Sequence, residues 1–443
     1  MGTFRIRYDG LFAAGLALFL LSWSSPVRAG PVDLTQQDFT STLAQIEKAD
    51  GWYDETNYGA AAAGLRGKKY FLPDGIDMGS YLLFLEVGAG TTYDDNIYAT
   101  RQNRKGDFRS VGTASLAAIS RLPRHLFNVY LDGSYVNYAD DPDADYFDGA
   151  ARADWRIDID HGHALGGRFA STYEHEDRLA PEAPLEAREA VPVLANEAEI
   201  AFTRDQGRLG ATFGLDFADH DYSDVEAFDG SRIDQDFRDM TSYGAYLGLN
   251  YRFSPGYKLL TTVRAGRELY HDADAELRDA TVYEGKVGLA FELSPLWRAN
   301  VSVGYGLADY DAEERDRLGA FVYDGQLVWL ASPLLTMTLT AGQSIDEASF
   351  GTEGALIETH AEIEAKYEAM RNLMLTASLG YERADIANSD RTDDIYTGKI
   401  GAEYTINKNL LFTIGYERQE RFSTDLDYEM QANRYMAGLK IKF

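Results

Sequence analysis

The chain has 443 residues, no cysteine, 13% aromatic residues and a formal net charge of -29. That charge disfavours binding to nucleic acid, which depends on Lys and Arg neutralising phosphates, so we expect no nucleic-acid partner. The absence of cysteine from the sequence excludes disulfide frameworks and zinc–thiolate sites, and 45% hydrophobic residues are too many for a disordered acidic chain.

The first residues have the three parts of a secretory signal peptide. Arg5 and Arg7 precede an apolar stretch at 11–21, and Val27 and Ala29 occupy the positions of small residues before a cleavage site. An N-terminal membrane anchor is the alternative, but about 13 apolar residues fall short of the roughly 20 that a spanning helix needs. We therefore predict a signal peptide over residues 1–29, cleaved after Ala29.

Residues 30–77 are predicted to form an N-terminal periplasmic extension with a short helix. Phe39, Leu43 and Ile46 recur at helical spacing within it. This extension could be a periplasmic tail before the first strand, or it could enter a barrel as a plug. A tail is favoured because a segment of this length is too small to fill the lumen of a large barrel.

From residue 78 to residue 443 the chain alternates apolar and polar residues with a period of two, which is typical of strands with two unlike faces. In 151–160, for example, Ala151, Ala153 and Trp155 alternate with Arg152 and Asp154. The charged face requires water, so the apolar face is expected to meet lipid. The pattern predicts eighteen strands, at 82–93, 108–121, 125–138, 146–160, 163–175, 193–204, 207–218, 238–253, 257–270, 279–293, 298–309, 318–330, 334–344, 355–367, 372–383, 393–406, 409–420 and 430–443.

The connections between these strands alternate in length. Short turns such as 122–125 and 254–257 alternate with long acidic connections, including 94–107, 176–191, 218–236 and 344–354. Outer-membrane barrels have short periplasmic turns, long outer loops, an even number of strands and an aromatic girdle at each membrane interface. We therefore predict an all-β fold, a transmembrane antiparallel up-and-down β-barrel over 78–443 in the outer membrane of a Gram-negative cell. A soluble β-sandwich or β-helix is the alternative.

The C-terminal segment Tyr435-Met-Ala-Gly-Leu-Lys-Ile-Lys-Phe443 alternates up to a terminal aromatic residue. It resembles the signal that the bacterial barrel insertion machinery reads. The expected partners are therefore outer-membrane lipid and this insertion machinery.

Residues Tyr93-Asp-Asp-Asn-Ile-Tyr-Ala-Thr100, at the end of the first strand, resemble those of the putative beta-barrel porin 2 family. The resemblance runs from there to Phe443 and implies a Gram-negative outer-membrane barrel that acts as a transport or export pore. Because some members are linked to exopolysaccharide loci, it extends the expected cargo to exopolysaccharide. The resemblance supplies no catalytic residues.

Four groups of residues superficially suggest chemistry. His161 and His163 lie beside acidic residues, but alternate side chains at a tight turn point apart. The Asp219-His-Asp221 run lacks the further partners of a barrel protease, and His360 is expected to pair with neighbouring carboxylates. The acidic loop 140–145 fails the EF-hand spacing. We predict no catalytic residue, no cofactor, no metal site and no enzyme activity.

Barrels of 16 to 18 strands enclose an aqueous channel, so the charged residues of the inward face are candidates for pore lining. Both signs are interleaved and can pair between neighbouring strands, and the small acidic excess favours neutral sugars or cations over polyanions. The candidate pore-lining residues are Arg152, Asp154, Arg156, Asp158, Arg168, Arg208, Asp216, Arg264, Lys286, Glu362, Lys399, Glu403, Arg434 and Lys440. The connection 176–191 either folds inward to narrow the lumen or forms an external lid.

The sequence thus predicts an outer-membrane pore for small solutes or saccharides, with exopolysaccharide export as a further expected role. A structural, assembly or adhesive barrel without an open pore is the first alternative. An outer-membrane enzyme is the second.

Overall fold

The computed structural model describes residues 73–443 except 179, 181–182, 273–275, 314, 348–354 and 387–388. Long antiparallel strands dominate it, as the period-two alternation predicts. The strands are β1 Tyr81–Asp94, β2 Asp107–Ser120, β3 His125–Tyr138, β4 Tyr146–Asp160, β5 His163–His175, β6 Pro192–Gln206, β7 Leu209–Tyr222, β8 Met240–Ser254, β9 Tyr257–Tyr270, β10 Ala280–Ser294, β11 Trp297–Tyr310, β12 Leu318–Ser332, β13 Leu335–Glu347, β14 Ala355–Met370, β15 Leu373–Ile386, β16 Thr392–Asn407, β17 Leu410–Ser423 and β18 Met430–Lys442.

These strands close into a single barrel. Each strand pairs antiparallel with the next, and β18 pairs antiparallel with β1, from Glu86 opposite Lys442 to Asp94 opposite Arg434. The predicted eighteen-strand antiparallel barrel is therefore confirmed. No helix in the described residues is long and apolar enough to cross a membrane.

The largest boundary error concerns β7, which was predicted to end at 218 but runs to Tyr222. The alternation continues through Asp219 and Asp221, whose acidic side chains gave the appearance of a loop. The predicted long connection 218–236 is correspondingly shorter, and it contains a small hairpin in which Val225–Glu226 pairs with Arg232–Ile233.

The inner face of the barrel is identified by contacts that reach over an intervening strand. Arg264 of β9 donates to Asp216 of β7 at 2.7 Å, above Gly244 of β8. A Cβ atom on Gly244 would lie 2.7 Å from the Asp216 Oδ2 atom, so glycine is needed at this crossing. Side chains converge in this way only on the concave side of a closed sheet. The charged face is therefore the inner face.

The opposite positions present large apolar side chains outward. Phe213 is 51% exposed and Ile400 is 61% exposed, which would be unfavourable in water but suits contact with lipid. Aromatic residues gather at both ends of this outer face. Tyr93 and Phe108 pack with ring centroids 4.8 Å apart at the long-loop end, called the loop end, and Trp297 stacks on Trp329 at 4.8 Å at the short-turn end, called the turn end.

Three hairpins at the loop end share one type of cap. An aspartate directly before the returning strand accepts a hydrogen bond from the backbone N–H of a tyrosine that ends the outgoing strand. The pairs are Asp145 with Tyr138 at 2.7 Å, Asp239 with Tyr222 at 2.7 Å and Asp279 with Tyr270 at 2.8 Å. A single 3-10 turn precedes each aspartate, at Pro142–Ala144, Asp236–Arg238 and Glu276–Arg278.

The segment before β1 is attached to the turn end of the barrel. Ile76–Asp77 pairs antiparallel with Leu82 and Leu83 of β1, and Arg121 donates to Asp77 at 2.6 Å. The predicted signal peptide at 1–29 and the predicted helix containing Phe39, Leu43 and Ile46 lie outside the described residues. The choice between a periplasmic tail and a plug therefore stays a prediction.

Candidate channel lumen

Most predicted pore-lining residues belong to ion-pair ladders along the inner wall. On β4 and β5, Asp154 forms a salt bridge with Arg152, with an N–O distance of 3.3 Å, and accepts a hydrogen bond from Arg168 at 3.2 Å, and Arg156 pairs with Asp158 at 2.7 Å. Residues two apart on a strand share a face, and Asp154 lies directly opposite Arg168 in the register. This part of the wall is therefore polar but almost neutral.

Further ladders involve five more of the predicted residues, together with carboxylates that are not among the predicted pore-lining residues. Asp216 pairs with Arg264, as described above. Lys286 pairs with Glu284 at 3.0 Å, Lys399 with Glu417 at 3.2 Å and Lys440 with Glu86 at 2.9 Å. The three lysine contacts join side chains of one strand or of adjacent strands, whereas the Asp216–Arg264 pair reaches over β8.

The remaining predicted lining residues differ in their surroundings. Glu362 and Glu403 occupy inner-face positions of β14 and β16, and neither forms a salt bridge with any residue in the described part of the chain. Arg208 lies in the two-residue turn between β6 and β7 instead of on a strand, and its carbonyl accepts from the Arg252 N–H at 2.7 Å. Contact of any of these residues with a solute stays a prediction.

The connection 176–191, called L3, folds into the barrel. Asp177 follows β5 by two residues yet forms a forked ion pair with Arg434 on β18, with both N–O distances 3.2 Å. Because β18 lies five strands away around the ring, this contact can be made only through the interior. The Ala180 carbonyl accepts from Arg421 of β17 at 3.2 Å, which extends L3 along the same wall.

Arg434 is the centre of a buried ionic network at the loop end. Besides Asp177, it donates to Asp94 of β1 at 2.8 Å and to Glu417 of β17 at 3.1 Å, and Glu417 also pairs with Lys399 of β16. The network thus joins L3 to four consecutive strands. Charge-assisted hydrogen bonds with little exposure to water are the strong kind, so L3 is held firmly.

L3 also packs against the other loops of the loop end. Glu176 and Arg238 form a salt bridge, with one N–O distance of 3.0 Å and each side chain 1% exposed. Arg178 donates to the Ala187 carbonyl at 3.0 Å and lies over the Tyr98 ring at 4.9 Å. Burial lowers the pKa of Arg178. The backbone N–H of Arg188 donates to the Glu226 carbonyl at 2.8 Å, tying L3 to the small hairpin.

The Tyr93–Thr100 run, which carries the family resemblance, anchors the first loop. Asp94 pairs with Arg434, and Asp95 accepts from the backbone and side-chain nitrogens of Asn433 at 2.7 Å each. Asn96 donates to the carbonyls of Thr100 at 2.8 Å and Gln431 at 2.9 Å. These contacts hold the first loop to the strand that closes the barrel.

Several of the residues considered for chemistry have structural partners, although both ring nitrogens of His220 are buried without a hydrogen-bond partner in the described part of the chain. His163 contacts Asp160 at 2.8 Å, and in the 140–145 loop Asp145 caps β3 while Asp141 accepts from Tyr98 and Lys105. A different acidic group, Asp224, Asp234 and Asp236, brings three carboxylates together in the connection between β7 and β8. Asp224 there accepts from Arg232 and from the Gln235 N–H, so the group has a structural role in the connection.

Sequence reasoning missed several charged residues of the inner wall and of L3. These are Arg109, Asp177, Arg178, Glu417 and Arg421. Arg109 could have been found, because it alternates with Phe108 and Ser110 on β2, whereas the role of Asp177 depends on the path of a loop.

Comparisons with known proteins give one family match and several similar structures. The chain matches the model of the family described as Putative beta-barrel porin 2 over residues 69–443. It is similar to the structure of Pseudomonas aeruginosa OpdK with vanillate, at 10% identity over 84% of this chain and 100% of that chain, with a TM-score of 0.45. Similar values hold for a BenF-like porin from Pseudomonas fluorescens Pf-5, at 11% identity, 84% and 100% coverage and a TM-score of 0.45. The structure of Pseudomonas aeruginosa OccK2 (OpdF) in complex with glucuronate gives 10% identity, 85% and 100% coverage and a TM-score of 0.46. Among curated proteins, none matches the chain.

Proposed function

The chain belongs to the putative beta-barrel porin 2 family, and on that premise we propose that it forms a channel for small hydrophilic solutes, narrowed at the loop end by L3. It is an outer-membrane β-barrel of a Gram-negative cell. A channel is favoured over an enzyme because the family is one of porins and the ionisable groups of the inner wall are arranged as ion-pair ladders.

The ion pair between Asp177 and Arg434 carries the proposal. It fixes L3 inside the barrel, where the loop reduces the cross-section that an eighteen-stranded wall would otherwise leave for water. A narrowed entrance favours small solutes. Nothing among the contacts of the described residues favours export of an exopolysaccharide, and we do not include it in the proposal.

The polarity of the wall indicates which small solutes pass more easily. Paired ladders such as that of Arg152, Asp154 and Arg168 offer hydrogen bonds without a strong net field. Glu362 and Glu403 add negative charge without a salt bridge in the described part of the chain. We propose passage of neutral sugars and similar polar molecules, with a weak preference for cations over anions.

Conductance of the purified full-length protein in planar lipid bilayers tests the proposal. The wild-type protein should form pores, and deletion of 177–190 should increase the single-channel conductance. Asp177→Asn should give a smaller increase, because it releases L3 from Arg434 without removing the loop. Glu189→Gln is the matched control, since Glu189 lies in L3 but forms no salt bridge with the residues that the structure describes.

A bilayer that stays silent with both the wild-type protein and the deletion variant would contradict the proposal. Such a result would favour a structural, assembly or adhesive barrel. Equal conductance of the wild-type protein and the deletion variant would leave a pore but show that L3 does not narrow it.

A further inference from the structure

Arg109 differs from the other arginines of the inner wall in its partners. It lies on β2, three residues from the loop end, and its Nε atom is buried without a hydrogen-bond partner. Among the residues that the structure describes, none forms a salt bridge or a side-chain hydrogen bond with Arg109. The residue as a whole is only partly buried.

The groups around Arg109 do not neutralise it. In the register it lies between Thr92 of β1 and Tyr138 of β3. Of the groups that act on it electrostatically, Tyr138 comes first, and the ones that are charged at neutral pH are Arg434 and Asp94, which already pair with each other at 2.8 Å. Tyr138 and Tyr146 are also close, but a phenol is uncharged at neutral pH. Arg109 therefore contributes a positive charge that has no counterion of its own.

A second guanidinium lies beside the same tyrosines. Arg178 of L3 lies close to Tyr138 and Tyr146, as Arg109 does, and the carboxylates Asp141 and Asp177 also act on it without forming a salt bridge. Its terminal nitrogens donate to the carbonyls of Ala187 and Arg188, and within the described part of the chain it forms no salt bridge. The entrance beside L3 thus holds two arginine charges that no carboxylate pairs directly.

We infer that Arg109, assisted by Arg178, binds the carboxylate of a small solute as it enters past L3. A guanidinium presents N–H groups in a planar fork that matches a carboxylate. A monoanion suits this position better than a dianion, because Asp94, Asp177 and Glu417 lie in the adjoining network and repel added negative charge. The inference rests on the proposed channel and adds to it a local binding step for small carboxylates, at an entrance that differs in charge from the weakly cation-preferring wall as a whole.

Binding of acetate to the full-length protein in detergent tests the inference without requiring conduction. The line width of the carbon-13 signal of labelled acetate should increase in the presence of the wild-type protein, and titration should give a saturable effect. Arg109→Gln should weaken the apparent affinity about tenfold or more, because hydrogen bonds to charged groups are among the strongest that a side chain makes. Arg109→Lys should retain part of it, since the charge remains but the fork is lost.

Arg101→Gln is the matched control, because Arg101 belongs to the same end of the barrel but pairs with Glu429 at 3.2 Å. It should bind acetate like the wild-type protein. Equal broadening by the wild-type protein and Arg109→Gln, or none by the wild-type protein, would overturn the inference. Stronger binding of inorganic phosphate than of acetate, followed by phosphorus-31 line widths, would overturn the choice of a monoanion. Heat-modifiable migration on gels verifies that each variant is folded.

The two possible failures are distinguishable. Pores that conduct but bind acetate independently of Arg109 would refute this binding site and leave the proposed channel supported. If the protein forms no pore but its acetate binding depends on Arg109, the proposed channel is refuted and the binding site is supported.

Discussion

Asp94 on the first strand and Arg434 on the last strand form a buried salt bridge, with 2.8 Å between Oδ2 and Nε. It lies at the seam where the barrel closes and belongs to the network that also holds L3. Hydrogen bonds alone would close the sheet, but the pair additionally fixes which side chains meet across the seam. Closure of the barrel and the position of L3 therefore depend on the same residue.

We expect Arg434→Gln to destabilise the folded barrel by about 3–5 kcal/mol, because it leaves buried carboxylates of Asp94, Asp177 and Glu417 without their cation. Urea unfolding in lipid vesicles measures this change. Arg317→Gln is the control, since the Arg317–Asp309 pair is largely exposed, with 69% of the Arg317 side chain accessible, and should contribute less than about 1 kcal/mol. Equal unfolding midpoints for the two variants would contradict the role of Arg434.

The register of β14 can be tested with adjacent arginine substitutions. Ile363 is 40% exposed on the outer face, and a lipid-facing arginine costs roughly 2–4 kcal/mol near the middle of the bilayer. Ile363→Arg should therefore reduce the refolding yield into vesicles far more than Glu362→Arg, whose side chain stays in the watery interior. Similar yields would show that the two faces of β14 are assigned incorrectly.

Ion selectivity tests the charge of the wall. Glu362→Gln should lower the potassium-to-chloride permeability ratio by up to about twofold at 0.1 M salt, since the Debye length of about 10 Å at that concentration leaves part of the field of a wall charge unscreened. The zero-current potential across a salt gradient measures this ratio. Asp229→Asn, which removes the same charge from an exposed loop position, should leave it unchanged. Strong anion selectivity of the wild-type protein would refute the proposed preference.

Labelling of single cysteines tests the orientation in the membrane, and the sequence contains no cysteine that would interfere. Asp229→Cys, in the small hairpin of the loop end, should react with an impermeant maleimide on intact cells. Lys408→Cys, in the turn between β16 and β17, should react only after the outer membrane is opened, because short turns face the periplasm. The reverse pattern would mean that the barrel is inserted the other way round.

The acidity of the loop end gives a prediction about pH. Burial raises the pKa of Asp239, which lies in the connection between β7 and β8, from 3.8 to about 6. The folded state therefore retains this proton between about pH 4 and pH 6, while the unfolded chain has lost it, so the stability that this group provides falls as the pH rises through that range. Asp239→Asn should raise the melting temperature at pH 8 and leave it unchanged at pH 4. A change at both values would point to a lost cap on Tyr222 instead.

The strands could be predicted because a lipid-facing and a water-facing side impose alternation on every residue. The predicted ranges 125–138, 146–160 and 163–175 coincide with β3, β4 and β5. The predicted end of a strand was wrong where acidic residues continue the alternation beyond the membrane, as Asp219 and Asp221 do on β7. A strand that extends into water no longer needs apolar residues on its outer face.

The candidate site was predictable only where neighbours in the sheet determine it. Asp154 and Arg168 share a register position, so the strand pattern alone brings them together. Asp177 and Arg434 are separated by 257 positions, and their contact depends on the path that L3 takes. Periodicity carries no information about that path, because a loop of mixed Pro, Ala and Glu can lie inside or outside a barrel.

The repeated caps at Asp145, Asp239 and Asp279 have a consequence for how such barrels evolve. Each cap is complete within one hairpin, whereas the seam contacts of Asp94 and Arg434 belong only to the first and last strands. Duplication of an internal hairpin would therefore add a cap together with the new hairpin, and loss of a hairpin would remove its cap. Neither event would change the contacts that close the barrel. Related barrels can therefore gain or lose two strands at a time, which widens or narrows the pore, while the sheet closes through the same contacts.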